Sequence, residues 1–314
     1  MITTANRASA VLCNFLRNGK FDRPFLLPAN VCPVVPLSFM KAGVDFEFVD
    51  INETHAISKV HALENIKSGK YAGLVFVHAY GNHFDNALFY KEIKELAPDA
   101  CIVDDCCLCQ PDLSGVLPVN VDLSLFSTGY AKYVELSFGG YGVTESRMTS
   151  SEDFKYSEEE ETKQLSYIKE CFRDGKVYEL PSDYPWLDGS KLQMSLDEYF
   201  NAIRKQLPVV QEQKERINNI YREELPQSVQ WGENYENWRF MISVENRDKV
   251  LEAIFENHLF AGTNFPSVSW MFKQKHYDRA EAEAKHILNL FNDHRVNEES
   301  AHRICKVINS TIQR

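Results

Sequence analysis

The chain has 314 residues, enough for about two domains of ordinary size around a large core. Its composition, 44% hydrophobic and 25% charged, is that of a soluble globular protein, and no apolar run nears the ~20 residues a membrane span needs. A net charge of −11 excludes a general nucleic-acid binder, because phosphate backbones attract basic surfaces.

The opening "MITTANRASAVLCNFLRNGK" lacks a signal peptide's order of basic start, apolar stretch and cleavage site, so a cytoplasmic protein is expected. From there short apolar runs recur at 24–28, 44–50, 73–81, 101–105, 123–128 and 141–146. Between several of them lie helix-like stretches such as "PLSFMKAG", "ETHAISKVHALENIKSG" and "NALFYKEIKELAP". Runs that are apolar without alternation predict strands covered on both faces, and strand and helix in turn predict a parallel doubly wound α/β sheet. Ligands of such sheets bind beyond the carboxyl ends of the strands, which directs attention to His78, Asp104, Asp105 and Ser127. The acidic run 151–162 reads as a solvated loop or helix start.

The second half reads as a smaller α+β unit. A helical pattern spans 195–225 with a kink expected at Pro208, followed by a strand over 238–244 and a helix over 246–259. Two terminal helices are predicted over 276–291 and 297–312. A large domain over 1–207 and a small one over 208–314 follow, joined by the long helix.

Eight cysteines without a secretion signal point to reduced thiols used as small core residues. Four of them crowd into "CIVDDCCLCQPD" (101–112). If the strand continues, Cys106 and Cys107 point to opposite faces, and no second cysteine pair follows, so no metal is expected. The aspartates carry more information. A buried carboxylate at a strand end costs several kcal/mol without a cationic partner, and a protonated pyridine nitrogen is one such partner. Downstream, "FSTGYAKYVELSFGGYG" (126–142) offers Ser127 at a strand end, Lys132 five residues on, then Gly139 and Gly140. A lysine there is suited to a Schiff base and a serine hydroxyl to a phosphate; together these residues suggest pyridoxal phosphate.

In this order the motifs resemble the DegT/StrS branch of fold-type-I pyridoxal-phosphate aminotransferases, almost end to end. "PANVCPVVPLSFMKAGVDFEFVDI", "VFVHAYGNHFD", "CIVDDCC" and "FSTGYAKYVELSFGGYGV" carry the likeness, with "AEAEAKHILNLFNDHRVNEESAHRICKVI" at the end. The resemblance implies a mixed, mostly parallel seven-stranded sheet sandwiched by helices, and pyridoxal 5'-phosphate as cofactor. It implies that Asp105 pairs with the pyridine nitrogen, that Lys132 binds the cofactor and moves the proton, and that Ser127 meets the phosphate. The backbone amides of Arg7 and Ala8 would join Ser127, as helix N-termini bind phosphate.

Four positions depart from the family: Leu108 stands where a glutamine contacts the ring hydroxyl, Cys32 at the ring-stacking position, Lys191 where an asparagine reaches the neighbouring subunit's phosphate, and Gln193 where that stretch has an arginine. Met1 also precedes Asn6 almost at once, where the family has an N-terminal arm that helps form the substrate pocket. His78 and Tyr130 are further candidates for lining the site, and Arg239 for meeting a carboxylate or forming a salt bridge. The implied activity is amino transfer in a homodimer, from a donor such as glutamate to a nucleotide-linked keto sugar. A lyase or dehydratase using the same cofactor, and a non-catalytic binding or regulatory relative, remain alternatives.

Overall fold

The computed structural model describes residues 1–146, 148, 154–263 and 266–312. Each buried apolar run between 24 and 143 becomes a strand: β2 (Phe25–Pro28), β3 (Phe46–Val49), β4 (Gly73–Val77), β5 (Cys101–Asp105), β6 (Leu123–Ser127) and β7 (Gly140–Val143). A further strand, β1 (Ile2–Ala5), completes a seven-stranded sheet of order β1-β7-β6-β5-β4-β2-β3. Strands β3, β2, β4, β5 and β6 run parallel, whereas β7 is antiparallel to both β6 and β1. The sheet is thus mixed and mostly parallel.

Helices cover both faces, as apolar strands with no wet side require. On one face α1 (Ala8–Gly19) and α2 (Val34–Ala42) pack in a core with Val75, Val103 and Leu125. On the other, α3 (Lys59–Lys67) and α4 (Ala87–Leu96) pack over Leu74, Phe76 and Ile102. Neighbours in a strand point to opposite faces, so Val103 and Ile102 fall in different cores, and so must Asp105 and Asp104.

Helix α5 (Glu158–Asp174) begins at Ser157, whose hydroxyl accepts from Glu160 N–H, with four glutamates in its first turn. Those acids complement the helix dipole and account for part of the acidic run; residues 151–153 lie outside the described residues. Helix α6 (Leu196–Glu224) is one continuous element of 29 residues, with a Ser195–Glu198 capping box and Pro208 inside it. The expected boundary at 207/208 therefore falls within a helix.

Strand β8 (Phe240–Ser243) and helix α7 (Arg247–Glu256) follow as expected, then α8 (Ser269–Lys273) and α9 (Asp278–His286). The predicted terminal helix over 276–291 is corrected: residues Ile287–Leu290 form a strand, β9, antiparallel to β8. The run Ile287-Leu288-Asn289-Leu290 fits either period, and cross-strand pairing of Met241 with Asn289 and Ile242 with Leu288 decides it. The final helix, α10 (Glu298–Ile312), packs Ile304 and Ile308 into a second core with Ile217, Tyr221 and Phe240. Val268, Met271 and Ala280 return to the core of the large sheet. Among the described residues no helix is long and apolar enough to cross a membrane.

Candidate active site

The strand order brings the carboxyl ends of β4, β5 and β6 side by side, with Val77 opposite Asp105 and Asp105 opposite Leu125. Asp105 is buried at the end of β5. One of its oxygens accepts from the Cys107 amide (2.9 Å), and among the described residues no lysine or arginine forms an ion pair with it. Lys132 is half-buried and, among the described residues, makes no hydrogen bond or ion pair. Both charges bear on the same two thiols. Burial raises Cys32 and Cys107 above the ordinary thiol range, while Lys132 pulls them down and Asp105 pushes them up. Cys32 is nevertheless exposed to solvent. Cys32, Asp105, Cys107 and Lys132 therefore lie near one another, beyond the carboxyl ends of β2, β5 and β6.

Ser127 closes β6 and sits opposite Gly140 in β7. A Cβ on Gly140 would stand 2.3 Å from the backbone nitrogen and Cα of Ala8, so only glycine lets the start of α1 approach the sheet this closely. The preceding Gly139 has φ +91 and carries no side chain into Tyr199 and Thr128. The pair therefore packs the first turn of α1 against the strand that flanks Ser127. Arg7, the N-cap, gives α1 no side-chain acceptor, so the first-turn amides are uncapped and the positive end of the dipole faces Ser127's end of the sheet. Lys191 is exposed, and its neighbour Ser190 accepts from Asn6 N–H (2.9 Å) while Asp188 accepts from the Asn6 side chain. Those bonds tie the segment bearing Lys191 to the phosphate-type turn of its own chain.

The loop that carries Lys132 is held from a distance. Ala131, at φ +56, donates its N–H to Glu135 (2.9 Å) and accepts from the Trp238 indole N–H (2.7 Å). Glu135 is in turn paired with Arg295 (2.6 Å), whose guanidinium lies 5.0 Å from the centre of the Tyr130 ring. Tyr130 itself is 72% exposed. Trp238, Glu135 and Arg295 were absent from the expectations, and no local pattern marks them; their contacts span 107 and 160 residues of chain.

Leu108 is half-buried, and its carbonyl and the Trp238 backbone both crowd Gly81 (φ +81), so the turn after β5 packs against the segment that carries Trp238. Arg239 corrects its expectation: among the described residues it forms no salt bridge. It is buried between the rings of Trp238 and Phe291, donates to Asn289 Oδ1 (2.5 Å), and leaves Nε without a partner. Burial lowers it to about 10.

His78 is placed on the face opposite Asp105. The Phe84 amide donates to Nδ1 (2.9 Å), which leaves the ring proton on Nε2, where Asp104 accepts it (2.9 Å). The Tyr90 hydroxyl also donates to Asp104. Burial opposes charge on both groups, but the Asp104–His78 contact overcomes it, raising His78 and lowering Asp104.

No family model and no curated protein matches the chain. Solved structures do. A Streptococcus pneumoniae protein assigned as a sugar aminotransferase, in its PMP form, superposes with a TM-score of 0.72 at 13% identity, over 99% of this chain and 88% of its own. PseC of Helicobacter pylori, an aminotransferase involved in the biosynthesis of pseudoaminic acid, gives 0.69 at 15%, over 99% and 86%. Sugar aminotransferase CalS13 of Micromonospora echinospora gives 0.68 at 14%, over 98% and 87%. At these identities the likeness is one of fold: the chain has the α/β architecture of the fold-type-I pyridoxal-phosphate transferases.

Proposed function

We propose that the chain is a pyridoxal-phosphate-dependent aminotransferase that moves an amino group from an amino acid such as glutamate to a nucleotide-linked keto sugar. One observation carries this reading: a buried Asp105 and a half-buried Lys132, each without a charged partner among the described residues, act on the same two thiols, Cys32 and Cys107, in a chain of this fold. An uncompensated buried carboxylate is costly, and a cationic pyridinium is the partner it lacks.

The residues fit the cofactor at each end. Asp105 would hold a proton on the ring nitrogen. Ser127, the amides at the start of α1 and Lys191 would receive the phosphate, with Gly140 letting the helix start approach the strand that flanks Ser127. Lys132 would hold the cofactor and serve as the base at the donor's α-carbon. Ala131, clamped on both backbone groups, fixes the position from which Lys132 reaches. Bound pyridoxal phosphate supplies the electron sink for the pair left on that carbon. Arg239, buried with a free Nε, is the cation we assign to the donor's carboxylate.

The sugar acceptor rests on the sequence resemblance and on what PseC and CalS13 are described as doing. The homodimer rests on the resemblance alone. For Lys191 the tie between Ser190 and Asn6 favours service to its own chain's phosphate over a reach across the dimer.

Purified protein given pyridoxal phosphate is expected to show the absorption band of lysine-bound cofactor, absent in Lys132→Ala. Glutamate or another donor is then expected to convert the band to that of the pyridoxamine form. Absence of the band sinks cofactor binding. A band that no amino donor changes sinks the aminotransferase and leaves a lyase or dehydratase.

A further inference from the structure

Behind Asp105, on the opposite face of the sheet, the turn after β5 carries a second cluster that the proposed cofactor site does not use. Cys109 N–H donates to the Cys106 carbonyl (2.9 Å), a turn that folds the two thiols of a Cys-x₂-Cys pair together. His78 arrives from the adjacent strand end, where its N–H donates to the Asp105 carbonyl (3.0 Å). The ligand atoms of His78, Cys106 and Cys109 all lie within 4.8 Å of one another, and all three residues are buried. Asp104 reaches the same place, with Oδ1 2.9 Å from His78 Nε2 and Oδ2 3.6 Å from Cys106 Sγ. Among the described residues no lysine or arginine is bonded to any of the four. Cys106 and Cys107 do diverge, as the sequence suggested, but the pair that matters is 106 and 109.

We propose that His78, Cys106 and Cys109, with Asp104 as fourth donor, form a buried site for one zinc ion or a similar borderline-soft divalent cation. Two sulfurs, one imidazole nitrogen and one carboxylate oxygen make a four-coordinate set of the kind that encloses structural zinc, and thiolates select it over magnesium or calcium. Thiolates ~2.3 Å from a tetrahedral ion sit about 3.8 Å apart, so the cluster closes by roughly 1 Å, within the reach of side-chain rotation. The chemistry balances without a redox partner. The two thiols give up their protons to solvent, and the ion takes the place of the proton His78 Nε2 shares with Asp104. The ring proton passes to Nδ1, which gives up the bond it accepts from the Phe84 amide (2.9 Å) and turns to donate to the Asn82 carbonyl (3.3 Å). A disulfide between Cys106 and Cys109 would give His78 and Asp104 no part to play. The ion would pin the turns after β4 and β5 together, on the face of the sheet opposite Asp105.

The test is titration of the reduced full-length chain with zinc or cobalt(II) alone, followed by elemental analysis after gel filtration. One equivalent per chain is expected, with release of two protons per ion. The cobalt form is expected to show thiolate charge-transfer absorption and the intense visible bands of tetrahedral geometry. Cys106→Ser and Cys109→Ser are expected to weaken binding by on the order of 100-fold or more and Asp104→Asn by about 10- to 100-fold. Cys305→Ser, in the distant second core, keeps the stoichiometry. Two results overturn the proposal, and neither depends on a variant folding: wild-type protein that retains no stoichiometric metal, or protein isolated without reductant whose Cys106 and Cys109 are already joined as a disulfide.

Discussion

Asp104 and Asp105 are adjacent in sequence, equally buried in β5, and opposite in circumstance. Asp104, on one face, is bonded to His78 and Tyr90 and has a cysteine thiol beside it. Asp105, on the other, has a backbone amide and, among the described residues, no cationic partner. A single step along a strand, with its change of face, separates a carboxylate that serves the fold from one held ready for something else. Burial alone does not identify a functional acid; burial with its countercharge missing does.

The largest effect that sharpens this contrast is expected on the side of Asp105. Lys132→Ala removes the only proposed base and cofactor attachment, and amino transfer should fall by about 10³-fold or more, measured as single-turnover conversion of bound cofactor. Asp105→Asn should cost activity by on the order of 100-fold while leaving the denaturation midpoint unchanged or raised, because an uncompensated buried charge has been neutralised. Asp104→Asn should do the reverse, losing about 3 kcal/mol of stability on chemical denaturation, as expected when one partner of a buried pair is removed. If Asp104→Asn proves silent in stability and Asp105→Asn destabilising, the two aspartates have been assigned the wrong way round.

Lys214 tests the intermediate case, a buried charge that is hydrogen-bonded but, among the described residues, has no anion in contact. Its ammonium donates to the Trp238 carbonyl (2.7 Å) and to Asn292 Oδ1 (2.8 Å), and burial lowers it to about 7. The unfolded chain, with an ordinary lysine near 10.4, binds the proton more readily everywhere between those values. Stability should therefore rise with pH from about 7 to about 10, by at most about 1.4 kcal/mol per pH unit. Below pH 7 both states are protonated and the contribution is flat. Denaturation midpoints across that range should show the slope in wild type and lose it in Lys214→Met. The smallest effect is expected at an exposed ring: Tyr130→Phe should change KM by no more than about threefold, since an exposed hydroxyl exchanges one water contact for another.

Much of the large sheet was readable in the sequence because its strands are short runs apolar on both faces that alternate with helical patterns, and length and alternation rather than periodicity mark them. Strand β1 escaped because Ile-Thr-Thr-Ala has no pattern of its own and is fixed by pairing with Gly140–Val143 across the whole domain. Residues 287–290 were taken for helix because four residues cannot show which period they follow. The same division runs through the candidate site. Asp105, Ser127 and Lys132 stand at strand ends or a short distance beyond, where local sequence points. Trp238, Glu135 and Arg295 act only through contacts that folding creates, as does the meeting of His78 with Cys106 and Cys109.

The clamp on Ala131 has a practical consequence for protein engineering. A loop whose backbone is gripped by an indole from one distant segment and, through Glu135, by a guanidinium from another is not a portable cassette. Transplanting residues 127–140 into a related scaffold would carry over the lysine but not its aim. The graft would have to bring Trp238 and Arg295 with it, and the smallest transferable unit is a triad scattered over more than half of the polypeptide.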